Sequence, residues 1–104
     1  MIERHWKGIA KKERADEYIA HLQNDTFRKI AAIPGYISAK ILKRDFEYDT
    51  EFLIVTQWEN IEAIKKFAGS EFDKAVVPEL VKEMMLHYDH SVSHYEITFN
   101  TPAY

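Results

Sequence analysis

The sequence contains no cysteine. Disulfides, thiolate nucleophiles and cysteine-ligated zinc or iron–sulfur centres are therefore excluded. Glycine is scarce, and Gly8, Gly35 and Gly69 stand far apart, so no glycine-rich loop is available to cradle a phosphate. No serine occupies a nucleophile elbow. The chain also lacks a long apolar run, whether the core of a secretory signal or a membrane span. The cytoplasm is the expected location, with no membrane partner. The glycosylation triplet Asn24-Asp25-Thr26 falls in an expected helix of a chain without an export signal, and is discounted. Charge of one sign is lacking too: the formal net charge is −3. The basic residues Arg4, Lys7, Lys11, Lys12 and Arg14 are interrupted by Glu13 and followed by Asp16 and Glu17. Nucleic-acid binding needs a more concentrated basic surface, so no nucleic acid is expected.

What the chain does have is aromatic mass: six Phe, six Tyr and two Trp in 104 residues. A chain of this length makes one domain, residues 1–104, and buries a modest share of its surface, so aromatic side chains weigh heavily in its core or in a subunit interface.

Hydrophobic spacing predicts a strand over 2–9 and a helix over 13–31, in which Ala15, Tyr18, Ile19, Leu22, Thr26 and Ile30 recur near helical spacing. Pro34 and Gly35 end that helix. Strands over 36–44 and 51–58 form a hairpin across a polar join. Asn60 caps a helix carrying Ile61, Ala63, Ile64 and Phe67. Ser70 and Asp73 resemble a capping signal for a helical segment with Phe72, Ala75 and Val76. Pro78 opens a last short helix containing Leu80, Val81, Met84 and Met85. A strand follows over 92–99. The order β–α–β–β–α–β predicts an α+β, ferredoxin-like sandwich with an antiparallel sheet. Helices cover one sheet face. Tyr36, Phe52, Trp58, Tyr95 and Phe99 exceed what a bare opposite face would carry, so a homodimer joined through its open sheet faces is expected.

Histidine is the first candidate for chemistry. His87, His90 and His94 lie close together with Asp89 and Glu96 nearby, but an expected loop and strand do not bring three ligands to one point as a metal-binding helix motif does; no metal is expected. His5 and Trp6 face opposite sides of a regular strand, as do His94 and Tyr95, so only one of each pair can see a given cavity. The sequence leaves open which side holds it. His5 and His94 are the candidate bases, with Glu96 near enough to tune His94. Trp6, Tyr18, Phe27, Arg28 and Tyr95 are the candidate walls and donors for an apolar or aromatic ligand.

The segments "RHWKG" at the first strand, "IPGY" after the first helix, "EFLIVTQWENIEAIKKFAG" through the third strand and the closing "HYE" resemble the antibiotic biosynthesis monooxygenase family. The resemblance covers almost the whole chain. It implies a dimeric ferredoxin-like α/β barrel with a small apolar cavity between sheet and helices in each subunit. It also implies one of several functions: cofactor-independent oxygenation of an aromatic or quinol-type compound, non-catalytic binding of a small apolar ligand, or haem degradation. The haem-degrading branch uses an asparagine on the first strand, a tryptophan late in the second-helix region and a histidine iron ligand a little further on. Here those places hold Lys7 or its neighbours, Phe67 and Val77, and valine cannot ligate iron. The expectation is thus an oxygenase without a cofactor or, on the same fold, a non-catalytic binder of a small apolar ligand. The stress-responsive barrel proteins show a weaker resemblance with the same architecture.

Overall fold

The computed structural model describes residues 1–102. It is an α+β, ferredoxin-like domain whose antiparallel sheet runs β2–β3–β1 and is completed, beyond β1, by two short strands. The strands are β1 (Ile2–Lys11), β2 (Tyr36–Asp45), β3 (Asp49–Trp58), β4 (Met85–Tyr88) and β5 (Ser93–Glu96). The long hairpin β2–β3 turns at 46–48, and β3 pairs with β1 without a break from Ile2↔Trp58 to Lys11↔Asp49. Four short helices cover one face: α1 (Ala15–His21), α2 (Phe27–Ala31), α3 (Ile61–Ala68) and α4 (Glu79–Met84).

Strand parity divides the residues of β1 cleanly. Arg4, Gly8 and Ala10 are buried beneath the helices, and Trp6 shares their side. His5, Lys7 and Ile9 alternate with them onto the open face. The core has two parts. One gathers Ala10, Tyr18, Leu22, Phe52, Ile54, Val81, Met84 and Met85; the other gathers Ile30, Trp58, Ala63 and Ile64. Phe27 packs against both. Gly35 turns into β2 with φ of +96°, where a Cβ would lie 2.6 Å from the Ala63 Cβ, so this position needs glycine for its backbone and for the approach of α3. Asn60 caps α3 as expected, its Oδ1 accepting from the Ala63 N–H at 3.0 Å.

Five sequence expectations are corrected. The first helix is continuous in direction but not in pitch: Leu22–Thr26 form a π turn between α1 and α2. Residues 72–76 are not helical. In a helix the Lys74 carbonyl would accept from residue 78, but Pro78 has no N–H; that carbonyl accepts from Arg4 instead, at 3.2 Å. Met85 leaves the last helix to begin β4, and the strand expected over 92–99 is the shorter β5. Finally, Tyr36, Phe52 and Trp58 lie under the helices, where Phe52 and Trp58 are fully buried, because they share the parity of Ile54 in the paired strands. Of the five aromatics expected on the open face, Tyr95 does stand there.

Candidate functional site

A cavity opens between the helix-covered face of the sheet and the helices above it, leaving about 80 Å³ free to the centres of water-sized molecules. One water needs about 10–15 Å³ of such space, so the cavity takes several waters or a flat ring. Its floor comes from facing positions of two paired strands: Arg4 and Trp6 on β1, opposite Thr56 and Ile54 on β3. Tyr18, Leu22, Thr26, Phe27 and Ile30 from the first helical run form the roof, and Phe67, Val76, Pro78, Val81 and Val92 complete the wall.

The π turn helps to shape this roof. Tyr18, Leu22, Thr26 and Ile30 follow one another at steps of four, longer than the 3.6 residues of an α-helical turn. A regular α-helix would rotate the later members of the row away from the sheet. The wider turn at Leu22–Thr26 takes up that drift and keeps Thr26, Phe27 and Ile30 over the cavity. Such turns are frequent at functional sites.

Polar groups on the wall are few. The Thr56 hydroxyl accepts from the Trp58 indole at 2.9 Å, and the Trp6 indole donates to the Asp89 carbonyl at 2.8 Å, which fixes the ring as a wall. Tyr18 is 2% exposed, and its hydroxyl has no hydrogen-bond partner among the described residues. Burial raises its pKa above the ordinary tyrosine range, so the phenol stays protonated and available as a donor.

Arg4 is the one cation on the wall. It is 5% exposed. Its Nη1 donates to the Phe72 carbonyl at 2.6 Å and to His94 Nε2 at 2.9 Å, and its Nη2 donates to the Lys74 carbonyl. The guanidinium also lies 5.5 Å from the Phe67 ring centroid. Burial lowers its pKa to about 10, with the charge of Asp73 acting in the opposite direction; it remains a cation at neutral pH. Because arginine can only donate, His94 Nε2 must accept and Nδ1 carries the proton. Nδ1 faces Asp73 Oδ1 at 3.3 Å. Burial first, and then the Arg4 charge, hold His94 below the ordinary histidine value against the pull of Asp73.

Of the residues singled out in the sequence, Trp6, Tyr18 and Phe27 line the cavity. His94 sits behind the wall and touches it through Arg4. His5, Arg28 and Tyr95 lie elsewhere. His5 is on the open sheet face, 2.7 Å from Glu3 and with its ring centroid 5.0 Å from that of Tyr95, and Arg28 is exposed on α2. Sequence reading treated Arg4 as part of a solvated basic face and passed over Thr56 and Phe67 as cavity residues. The even parity of Arg4 with Trp6 was the signal that could have moved it inside. Among the described residues, no three His, Asp or Glu side chains converge as metal ligands. A haem would need an axial ligand on this wall. No histidine lines it, and both ring nitrogens of His94 are engaged, so no histidine stands ready as an axial ligand on this wall.

Residues 5–78 match the sequence model of the family described as antibiotic biosynthesis monooxygenase. No curated protein matches the chain. A solved structure from Bacillus cereus, assigned to the antibiotic biosynthesis monooxygenases, is similar with a TM-score of 0.69 and 18% identity, over 99% of this chain and 96% of that one. The haem-degrader MhuD from Mycobacterium tuberculosis, with two haems bound in its active site, is similar with a TM-score of 0.65 and 15% identity, over 98% of this chain and 100% of that one. Likeness at these identities establishes the fold.

Proposed function

The chain belongs to the antibiotic biosynthesis monooxygenase family, and from that premise we propose that it is a cofactor-independent oxygenase acting on a small aromatic or quinol-type compound. The observation that carries this reading is the cavity itself, a largely apolar, aromatic-walled space with a protonated, unpartnered Tyr18 phenol at one end. Trp6, Phe27 and Phe67 hold a flat ring and keep water away from it. An aromatic ketone with an acidic methylene loses a proton to give an oxyanion, and the Tyr18 hydroxyl donates to that oxygen as its charge develops. The resulting carbanion is electron-rich enough to reduce dioxygen directly. The overall change converts a CH2 group and O2 into a C=O group and water, so the substrate supplies every electron. Neither candidate base reaches the ring: His5 stands on the open sheet face, and His94 lies behind the wall with its Nε2 lone pair held by Arg4. In this reading the acidic methylene gives its proton to solvent and the Tyr18 hydroxyl supplies the stabilisation.

The same reading places a second copy of the chain on the open sheet face. Ile9 and Leu53 are half-buried there, while Leu42 and Tyr95 remain exposed, an apolar surface suited to a matching sheet. The dimer closes the barrel.

Oxygen uptake with anthrone under 18O2 tests the activity. The expected result is anthraquinone carrying one labelled oxygen, at a rate well above the uncatalysed reaction, with Tyr18→Phe lowering kcat by roughly 10- to 100-fold. Anthrone binding without oxygen consumption above background would leave a small-ligand binder in place of an enzyme.

A further inference from the structure

Arg4 is a buried cation with no carboxylate in contact. Among the described residues none lies within ion-pair distance of it; the Asp73 charge acts on it at longer range, its carboxylate facing His94. A desolvated charge in this position is costly unless it is paired. Arginine has five N–H donors, and protein atoms engage Nη1 twice and Nη2 once. The Nε–H and one Nη2–H carry no protein partner on a residue that lines the cavity.

The floor gives this cation a definite place. Along β1 and β3 the facing pairs run Arg4↔Thr56, Trp6↔Ile54 and Gly8↔Phe52. Tyr18 stands over the last of these, its ring centroid 4.9 Å from that of Phe52. Arg4 and Tyr18 therefore mark opposite ends of the cavity, four strand residues or about 13 Å apart, with Trp6 between them. A ring system fits that span.

We propose that the natural ligand is an aromatic anion, with a carboxylate or comparable oxyanion docked on Arg4 and its ring laid between Trp6 and Phe27. The inference rests on the oxygenase reading only for the reaction at the Tyr18 end. The anionic group anchors the ring and is distinct from the oxygen that reacts. It also couples to His94. The charged groups acting on His94 are Arg4 from β1 and Asp73 from the loop after α3. A ligand anion on Arg4 offsets the cation that disfavours protonated His94, so this histidine holds its proton more tightly in the occupied site than in the empty one.

The test is calorimetric titration of the full chain with 2-naphthoate and with its neutral isostere 2-naphthamide at pH 7.5. The expected outcome is a preference for naphthoate of roughly 10- to 100-fold, the range for a hydrogen bond to a charged group, abolished in Arg4→Gln. Equal binding of the two probes to the unmodified protein overturns the proposal, as does binding of neither; both outcomes are independent of whether the variant folds. A second readout is the His94 imidazole titration followed by NMR. It should move to higher pH on saturation with naphthoate and stay fixed with naphthamide; no movement with bound naphthoate also counts against the proposal. Failure of turnover with an anthrone carboxylate, which carries both the acidic methylene and the anion, with the naphthoate preference intact would sink the oxygenase reading and leave this one standing.

Discussion

At the scale of single residues, the Arg4–His94–Asp73 chain makes stability depend on pH. His94 is held below the ordinary histidine value in the folded protein by burial and by Arg4, so between the folded and unfolded pKa the unfolded chain binds more protons. Its contribution is fully present above the unfolded value, near 6.5, and is lost as pH falls through the folded one. Urea unfolding between pH 7.5 and 5 should show that slope, and His94→Gln should flatten it. Gly8 makes a second residue-level case. A Cβ there would lie 2.6 Å from Trp6 Cη2 and 3.0 Å from Met85 Sδ. The indole cannot easily yield, since its N–H is bound to the Asp89 carbonyl. Gly8→Ala should cost about 1–3 kcal/mol by overpacking and weaken binding of aromatic probes, both measurable by denaturation and calorimetry.

At the scale of elements, the π turn is one residue more than an α-helix needs. Gln23 and Asn24 within it are exposed. Deleting Asn24 should leave an uninterrupted helix in which Phe27 and Ile30 keep their facing toward the cavity, because the turn absorbs the rotation of one residue, about 100°. Naphthoate binding should then be retained while circular dichroism shows helix retained; loss of binding would mean that the turn shapes the roof by more than absorbing a residue. The elements also show what the sequence could and could not disclose. Their order was legible because strands β1 to β3 alternate and α3 carries its own cap at Asn60. The π turn was not, because steps of four look like a helix face until the drift is counted. Residues 72–76 misled for a different reason: their local signal is helical, but a buried arginine far away in sequence takes the carbonyls a helix would use. The cavity walls at Trp6, Tyr18 and Phe27 could be named from chemistry. Arg4 shares the parity of Trp6, but that signal decides nothing until the face of β1 that the helices cover is known.

At the scale of the whole molecule, a single copy leaves its sheet open, and the expected dimer gives that face a role. Leu53 stands near its middle, on the central pair of strands, opposite Lys7 and Leu42. Leu53→Glu should convert a dimer to a monomer in light scattering while leaving the fold intact by circular dichroism. A dimer that survives this change would have its interface elsewhere.

The division of the core into two parts has an optical consequence. Each part holds one of the two tryptophans. Trp6 is half-buried at the cavity wall against the first cluster, and Trp58, fully buried, belongs to the second, where it stacks on Phe67 at 5.9 Å. Their fluorescence should therefore separate into a red-shifted, quenchable component that reports occupancy and a blue, shielded one that reports folding. Phe27 bridges the two clusters, so denaturant should move both components together, whereas a ligand should quench chiefly the first. The molecule carries its own pair of probes, one for each half of its interior.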